Sequence, residues 1–161
     1  NNWKKLKDFI GVYMENILNL ENEFVIIPFK KVKAEDLIKF WKENDITLSP
    51  TDNIDEINLA KKVNPELFLI IKDKKGICAT CWGTWDGRRG YIAHLCVRRD
   101  LRNTGLGKYS LNYVEKILKE KYSCYRVHLF VEKKNIKVLD FYKNLGYFER
   151  NDIIMLSKTL K

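Results

Sequence analysis

No stretch of this chain stays apolar over the roughly 20 residues that a helix needs to cross a bilayer, so no membrane partner is expected. Cysteine is scarce as well. Four cysteines in 161 residues are too few to staple a domain of this size, and they read as reduced thiols. Cys78 and Cys81 form a CxxC spacing, but residues three apart on a strand point to opposite faces, and no second pair at zinc-finger spacing completes a metal site. The first twenty residues interrupt their apolar positions with Lys4, Lys5, Lys7 and Asp8, so they lack the unbroken core of a secretory signal. A cytoplasmic location is the expectation. Internal repeats, low-complexity tracts and linkers are also missing, and a single core burying about 70% of the unfolded surface suits this length.

Positive charge, by contrast, is plentiful. The 30 lysines and arginines outnumber the 21 acidic residues for a net charge of +9, which suits nucleic acid, an anionic surface or a phosphate-rich ligand. Its distribution narrows the choice. Lysines come as scattered pairs (Lys30 with Lys31, Lys61 with Lys62, Lys74 with Lys75, Lys133 with Lys134), usually beside carboxylates, which is the pattern of a solvated surface. No nucleic-acid partner is therefore expected. Only Arg98, Arg99 and Arg102 crowd into one suspected turn.

Periodicity supplies the architecture. Trp3, Leu6, Ile10, Tyr13, Ile17 and Leu20 repeat at helical steps, so residues 1–21 read as an amphipathic helix belonging to the same unit as the single domain at 22–161. "EFVIIPFKK" reads as a first strand, and "KAEDLIKFWKEN" and "NIDEINLAKKV" as short helices around the loop "ITLSPTDN". "ELFLIIKD", "GICATCWGTW" and "GYIAHLCV" are three β-rich runs whose breaks are short enough for antiparallel hairpins. After them come a helix with Leu106, Tyr109, Tyr113, Val114, Ile117 and Leu118 on one face, a strand in "YRVHLFV", a helix around 136–144 stopped by Gly146, and a last strand in "DIIMLSKTL". The strand-helix-strand passage at 90–131 should be parallel and right-handed. The fold class is therefore α/β: a mixed, mainly antiparallel sheet of about six to seven strands with flanking helices and an extra N-terminal helix.

Chemistry concentrates in "CVRRDLRNTGLGKYSLNYVEKIL", residues 96–118. A helix start leaves four N–H groups without intrahelical partners, and the helix dipole adds partial positive charge. Gly105 and Gly107 remove the Cβ atoms that would keep a phosphate from the backbone, and Arg102 offers a charged fork. On local chemistry alone, a glycine-rich turn with surface arginines is the other reading. A P-loop would need glycine at Arg102 and Ser or Thr at Tyr109. A dinucleotide fingerprint would need a third small residue, a place that Ser110 fills poorly, and an acidic residue about 20 positions on.

The pattern Arg102-x-x-Gly105-x-Gly107 after Leu95-Cys96-Val97 resembles the acetyl-CoA signature of the GNAT superfamily of N-acetyltransferases. "LFVEKKNIKVLDFYKNLGYFER" resembles that family's next motif, with Asn135, Tyr142 and the Leu145-Gly146-Tyr147 ending. The likeness covers roughly residues 24–160, and "WDGRRG" resembles the hairpin of the small bacterial YpeA-type branch. The resemblance implies acetyl-CoA as cosubstrate. Its pyrophosphate would rest on the backbone N–H groups of Asn103, Thr104, Gly105, Leu106, Gly107 and Lys108, with Arg102 also binding the cofactor, and its pantetheine arm along the backbone of Leu95, Cys96 and Val97 as an added strand. It implies further that Asn135 contacts the cofactor and that Tyr142 protonates the leaving sulfur, while a backbone N–H near Cys96 or Val97 could serve the carbonyl oxygen. Members that acetylate protein N-termini often carry Glu where Phe130 stands, which weakens a ribosomal-protein reading.

No general base is legible. By strand alternation His94 shares a face with Ile92 and Cys96, opposite Tyr91, Ala93, Leu95 and Val97, unless a bulge changes the count. His128 has less to recommend it, and water relayed from Asp52 or Asp86 is another route. Ser49, Asp52, Trp82 and Trp85 are candidate pocket residues with ordinary packing roles as the alternative. The expected function is transfer of an acetyl group to a primary amine of a small molecule or peptide in a ternary complex. A catalytically idle acyl-CoA sensor or scaffold is the competing class. The helix at 3–20 falls outside the likeness, and it either covers a flank of the domain or shapes a homodimer contact or substrate lid.

Overall fold

Two tight breaks between three β-rich runs do produce consecutive hairpins in the computed structural model, which describes residues 24–160. The helix expected at 3–20 lies outside the described residues. The rest falls into two units that part between Leu129 and Phe130, and each is described by itself.

In the first unit, β1 (Val25–Ile26), β2 (Phe68–Asp73), β3 (Gly76–Trp85) and β4 (Gly90–Val97) pair antiparallel in that order, and β5 (Val127–Leu129) joins β4 in parallel. β1 is shorter than its apolar run because Pro28, one residue beyond Ile27, opens a 3-10 turn at Phe29–Lys31. The crossover from β4 to β5 is α3 (Leu106–Tyr122), as the parallel pairing requires.

Residues paired across a ladder share a face. Phe68, Trp82, Ile70, Thr80 and Cys96 therefore line one side, where α1 (Ala34–Glu43) and α2 (Ile54–Ala60) supply Leu37, Phe40, Trp41 and Ile57 to the same cluster. Burying a side chain such as Leu37 fully contributes about 1.5–3 kcal/mol. On the other side α3 buries Leu106, Tyr109, Leu111, Val114 and Leu118 at helical spacing. It lies so close that a Cβ on Gly83 would collide with Val114. Asn53 caps α2 by accepting from Glu56 N at 3.0 Å.

In the second unit, a 3-10 stretch at Lys133–Val138 leads into α4 (Leu139–Lys143). Gly146, at φ +89°, ends it, and Tyr147 N reaches back to Tyr142 O at 3.1 Å. The last strand expected in "DIIMLSKTL" does not form, and Ile154 and Leu156 are exposed. A strand exists by pairing its amides, and this segment has no ladder partner among the described residues. Among the described residues the sheet accordingly has five strands instead of six to seven; the mixed α/β class stands.

Candidate active site

The glycine turn joins β4 to α3 and takes its shape from two residues in left-handed backbone, Asn103 at φ +62° and Gly105 at φ +89°. Gly105 is the N-cap of α3 and offers no side chain to cap it. Backbone bonding resumes only at Tyr109 N, which donates to Gly105 O at 2.9 Å. Among the described residues, no acceptor is found for the N–H groups of 103–108. Thr104 turns its hydroxyl away from them, donating to Leu101 O at 2.6 Å.

The three arginines bond partners within the protein. Arg98 clamps Asp73 with both terminal nitrogens, at 2.9 and 2.5 Å, and bonds Asp100 through Nε at 2.7 Å. Arg99 grips Asp45 through Nε and Nη2 at 3.1 and 2.6 Å. Arg102, expected to offer a fork to phosphate, donates through Nη1 to Asp45 at 3.0 Å, through Nη2 to Asn44 O at 2.9 Å and through Nε to Val97 O at 3.2 Å. Asp45 and Asn44 stand at the C-terminal end of α1, where cations satisfy terminal carbonyls and oppose the dipole. The bonds from Arg99 and Arg102 hold the Asp45 carboxyl down at about 2, and Arg98 likewise holds Asp73 below the usual carboxylate range. The arginines tie the turn to α1 and β2, which leaves the main chain as its unsatisfied part.

Upstream, pairing between β4 and β5 ends at Ile92 opposite Leu129, while β4 runs on to Val97. From Ala93 onward the edge facing away from β3 has no partner strand among the described residues. Leu95, Cys96 and Val97, the residues expected to carry the pantetheine arm, lie on this open edge and lead into the turn.

A bulge interrupts that stretch. Trp82 pairs with Ala93 and Thr80 with Cys96, so β4 spends one residue more than β3 between the two pairs, and His94 adopts φ +48°. Side-chain parity flips across it. Ile92 shares the α3 face with Gly83, whereas Cys96 shares the α1 face with Thr80. The strand count that grouped His94 with Ile92 is thus corrected: His94 turns toward α1, its ring 4.2 Å from that of Trp41 and 5.8 Å from that of Trp82.

There it meets Asp52. His94 Nε2 lies 2.9 Å from Asp52 Oδ1, and the Asp52 side chain is only 5% exposed. Asp52 Oδ2 accepts from Ser49 N at 2.6 Å and Ser49 Oγ at 2.9 Å. Burial works to raise the Asp52 carboxyl, but the bonds from His94 and Ser49 outweigh it and keep it below the usual carboxylate range. The carbonyl of His94 accepts from Thr80 Oγ1 at 2.8 Å, and Thr80 Oγ1 accepts from Trp41 Nε1 at 3.0 Å. His94 Nδ1 is buried and has no hydrogen-bond partner among the described residues.

The remaining candidates find ordinary places. Asp86 accepts from Arg88 N and Arg89 N at 2.7 and 2.6 Å and shapes the hairpin turn. Trp82 stacks on Phe68 at 4.8 Å, and Trp85 packs on Tyr122 at 5.8 Å. Burial raises the thiols of Cys78, Cys81 and Cys96, to about 12 for Cys78 and Cys96, and no metal-holding cluster is present among the described residues. In the C-terminal unit, Asn135 is exposed and breaks the 3-10 stretch at φ −101°, while Tyr142 sits on α4 with its ring edge-on to Phe141 and Tyr147. No local signal in the sequence pairs Asp52 with His94, because one stands on a loop and the other on a strand far along the chain.

Comparison with known proteins shows the family and the fold. Residues 33–147 match the family model described as the acetyltransferase (GNAT) family. The chain is 33% identical over 134 residues to acetyltransferase YE1169 of Yersinia enterocolitica, covering 82% of this chain and 92% of that one. Among solved structures it is similar to Ard1 from Thermoplasma volcanium, with a TM-score of 0.65, 17% identity and coverage of 80% and 84%. It is also similar to glucosamine-6-phosphate N-acetyltransferase from Arabidopsis thaliana, with a TM-score of 0.57, 22% identity and coverage of 86% and 99%. At these identities the solved structures speak to the fold alone.

Proposed function

Because the chain belongs to the GNAT family of acetyltransferases, we propose that it draws its acetyl group from acetyl-CoA and passes it directly to a primary amine of a small molecule or peptide within a ternary complex. The observation that carries this reading is the continuity of the open edge of β4 from Ala93 to Val97 with the open amides of 103–108. An extended amide-bearing arm fits the first, and a diphosphate fits the second.

In this reading Asn103, Thr104, Gly105, Leu106, Gly107 and Lys108 hold the diphosphate through main-chain N–H groups, with Lys108 adding charge. Arg102 acts mainly by fixing the turn, since three of its five donors are engaged internally. Leu95, Cys96 and Val97 align the arm, and an N–H near Cys96 or Val97 stabilises the carbonyl oxygen as charge develops on it. Asn135 supports the cofactor and Tyr142 gives its phenolic proton to the departing sulfur.

Binding and chemistry are tested separately. Acetyl-CoA at about 100 times its dissociation constant should stabilise the fold by ~2.7 kcal/mol, read as a rise in Tm. Release of free thiol should then follow only when a suitable amine is supplied. Tyr142→Phe should lower turnover about 10²- to 10⁴-fold with the Tm rise intact, and unchanged turnover would remove the role. Binding with no thiol release for any amine would favour an acyl-CoA sensor instead.

A further inference from the structure

The bulge in β4 sets a strained histidine beside the open edge and gives it an arrangement that packing alone does not require. His94 holds a left-handed backbone conformation that few non-glycine residues adopt. Its main chain is secured by Thr80, and its ring lies against Trp41 of α1 and Trp82 of β3. The loop between α1 and α2 brings Asp52 to Nε2, and among these neighbours Asp52 is the ionisable one. A carboxylate on Nε2 selects the tautomer with the proton there and leaves the lone pair on Nδ1. A histidine serving only as packing would be expected to use both nitrogens, yet Nδ1 is buried without a partner among the described residues.

We propose that His94 is the general base of acetyl transfer, acting on the acceptor amine through one bound water, and that Asp52 is its positioning residue. The proposal rests on the acetyltransferase reading above. Nδ1 takes a proton from the acceptor's ammonium group, leaving a neutral amine and an imidazolium whose Nε2–H stays on the Asp52 carboxylate. The amine lone pair forms the C–N bond to the thioester carbonyl, and the C–S bond breaks with its electron pair on sulfur. The sulfur takes up a proton as the new amide nitrogen loses one, and the imidazolium releases its own to solvent. Ammonium and thioester become amide, thiol and one proton.

Asp52→Asn separates this role from a structural one. With its carbonyl oxygen toward the two Ser49 donors, the amide would present N–H to Nε2 and drive the histidine proton onto Nδ1, the wrong tautomer for a base. His94→Asn is the second variant, because asparagine tolerates the left-handed backbone. The full chain is assayed with acetyl-CoA and three acceptor classes: an amino sugar, a lysine peptide and an aromatic amine already neutral at the assay pH. Nitrogen-15 spectra of the histidine rings, assigned with His94→Asn, report the tautomer without any acceptor. Both variants should bind acetyl-CoA as wild type does and lose about 10²- to 10⁴-fold in kcat with alkylamines. Turnover of the neutral aromatic amine should be spared, and the acid limb of the pH profile should disappear in His94→Asn. Wild type should carry its proton on Nε2, and Asp52→Asn on Nδ1. Wild-type protein that fails to bind acetyl-CoA removes the underlying reading. Binding together with a wild-type Nδ1–H, or with alkylamine turnover in His94→Asn within threefold of wild type, overturns the proposal and leaves that reading in place.

Discussion

The glycine turn and the β4 bulge lie less than ten residues apart, and both use a non-glycine residue in left-handed backbone, Asn103 in one and His94 in the other. They solve opposite problems. In the turn the arginine side chains are engaged, since Arg98, Arg99 and Arg102 all bond Asp73, Asp100, Asp45 or main-chain carbonyls, and the amides stay open. In the bulge the carbonyl of His94 is closed by Thr80, and a side-chain atom, Nδ1, stays open. Main-chain amides suit a static anion, because they are rigid and carry no proton to lose at neutral pH. An imidazole lone pair suits a proton in transit. The difference therefore separates a binding region from a region of chemistry along one strand and the turn that follows it.

Substitutions can sharpen or break that division. The largest effect on binding is expected from Gly105→Glu, which puts a side chain on a φ of +89° and a negative charge where the diphosphate is received. The ~2.7 kcal/mol of ligand-linked stabilisation at saturating acetyl-CoA should vanish from thermal melts. Arg102→Gln should retain most of it. Were Arg102→Gln to abolish binding as fully as Gly105→Glu, the turn would hold its anion by side chains and the division would fail.

A smaller effect belongs to the bulge. Thr80 is fully buried between Trp41 Nε1 and the His94 carbonyl, so Thr80→Val strands an indole N–H and a carbonyl. Chemical denaturation should show a loss of about 1–3 kcal/mol, with acetyl-CoA affinity unaltered. A neutral result would mean that the bulge holds its shape without this link.

The smallest effect is a pH dependence at the turn. The folded-state pKa of Asp45, at about 2, lies below its ordinary value of 3.8. Its contribution to stability is therefore fully present above about pH 4 and lost as pH falls toward 2. Asp45→Asn should change little at neutral pH, because the ion pairs with Arg99 and Arg102 are solvent-exposed, and it should flatten the acid limb of a stability-against-pH curve. An acid limb identical to wild type would show that Asp45 contributes nothing there.

The sequence made the scaffold of this division legible, though not its partners. Hairpins at 67–97 and the parallel return to β5 followed from break lengths and from the helix between, and the structure has both. The turn could be located because glycine and helix periodicity are local signals. The arginines' partners are not local: Asp45 is 54 residues from Arg99 and 57 from Arg102, and Asp73 is 25 from Arg98. Arg98, Arg99 and Arg102 stand close together in the sequence, and nothing local to them announces these carboxylate partners. A period of two carries no mark where one extra residue enters, so the alternation that grouped His94 with both Ile92 and Cys96 keeps only Cys96 once the bulge is placed. The last strand was expected from apolar content in 152–160, but apolar content without a ladder partner does not make a strand.

The central claim is that the amides of 103–108 hold the diphosphate of acetyl-CoA. Backbone amide spectra recorded while CoA is titrated into the nitrogen-15-labelled chain test it most directly. The amides of Asn103, Thr104, Gly105, Leu106, Gly107 and Lys108 should show the largest downfield shifts and saturate with one dissociation constant. If those resonances stay still while CoA binds elsewhere, or if none moves at saturating CoA, the account is contradicted.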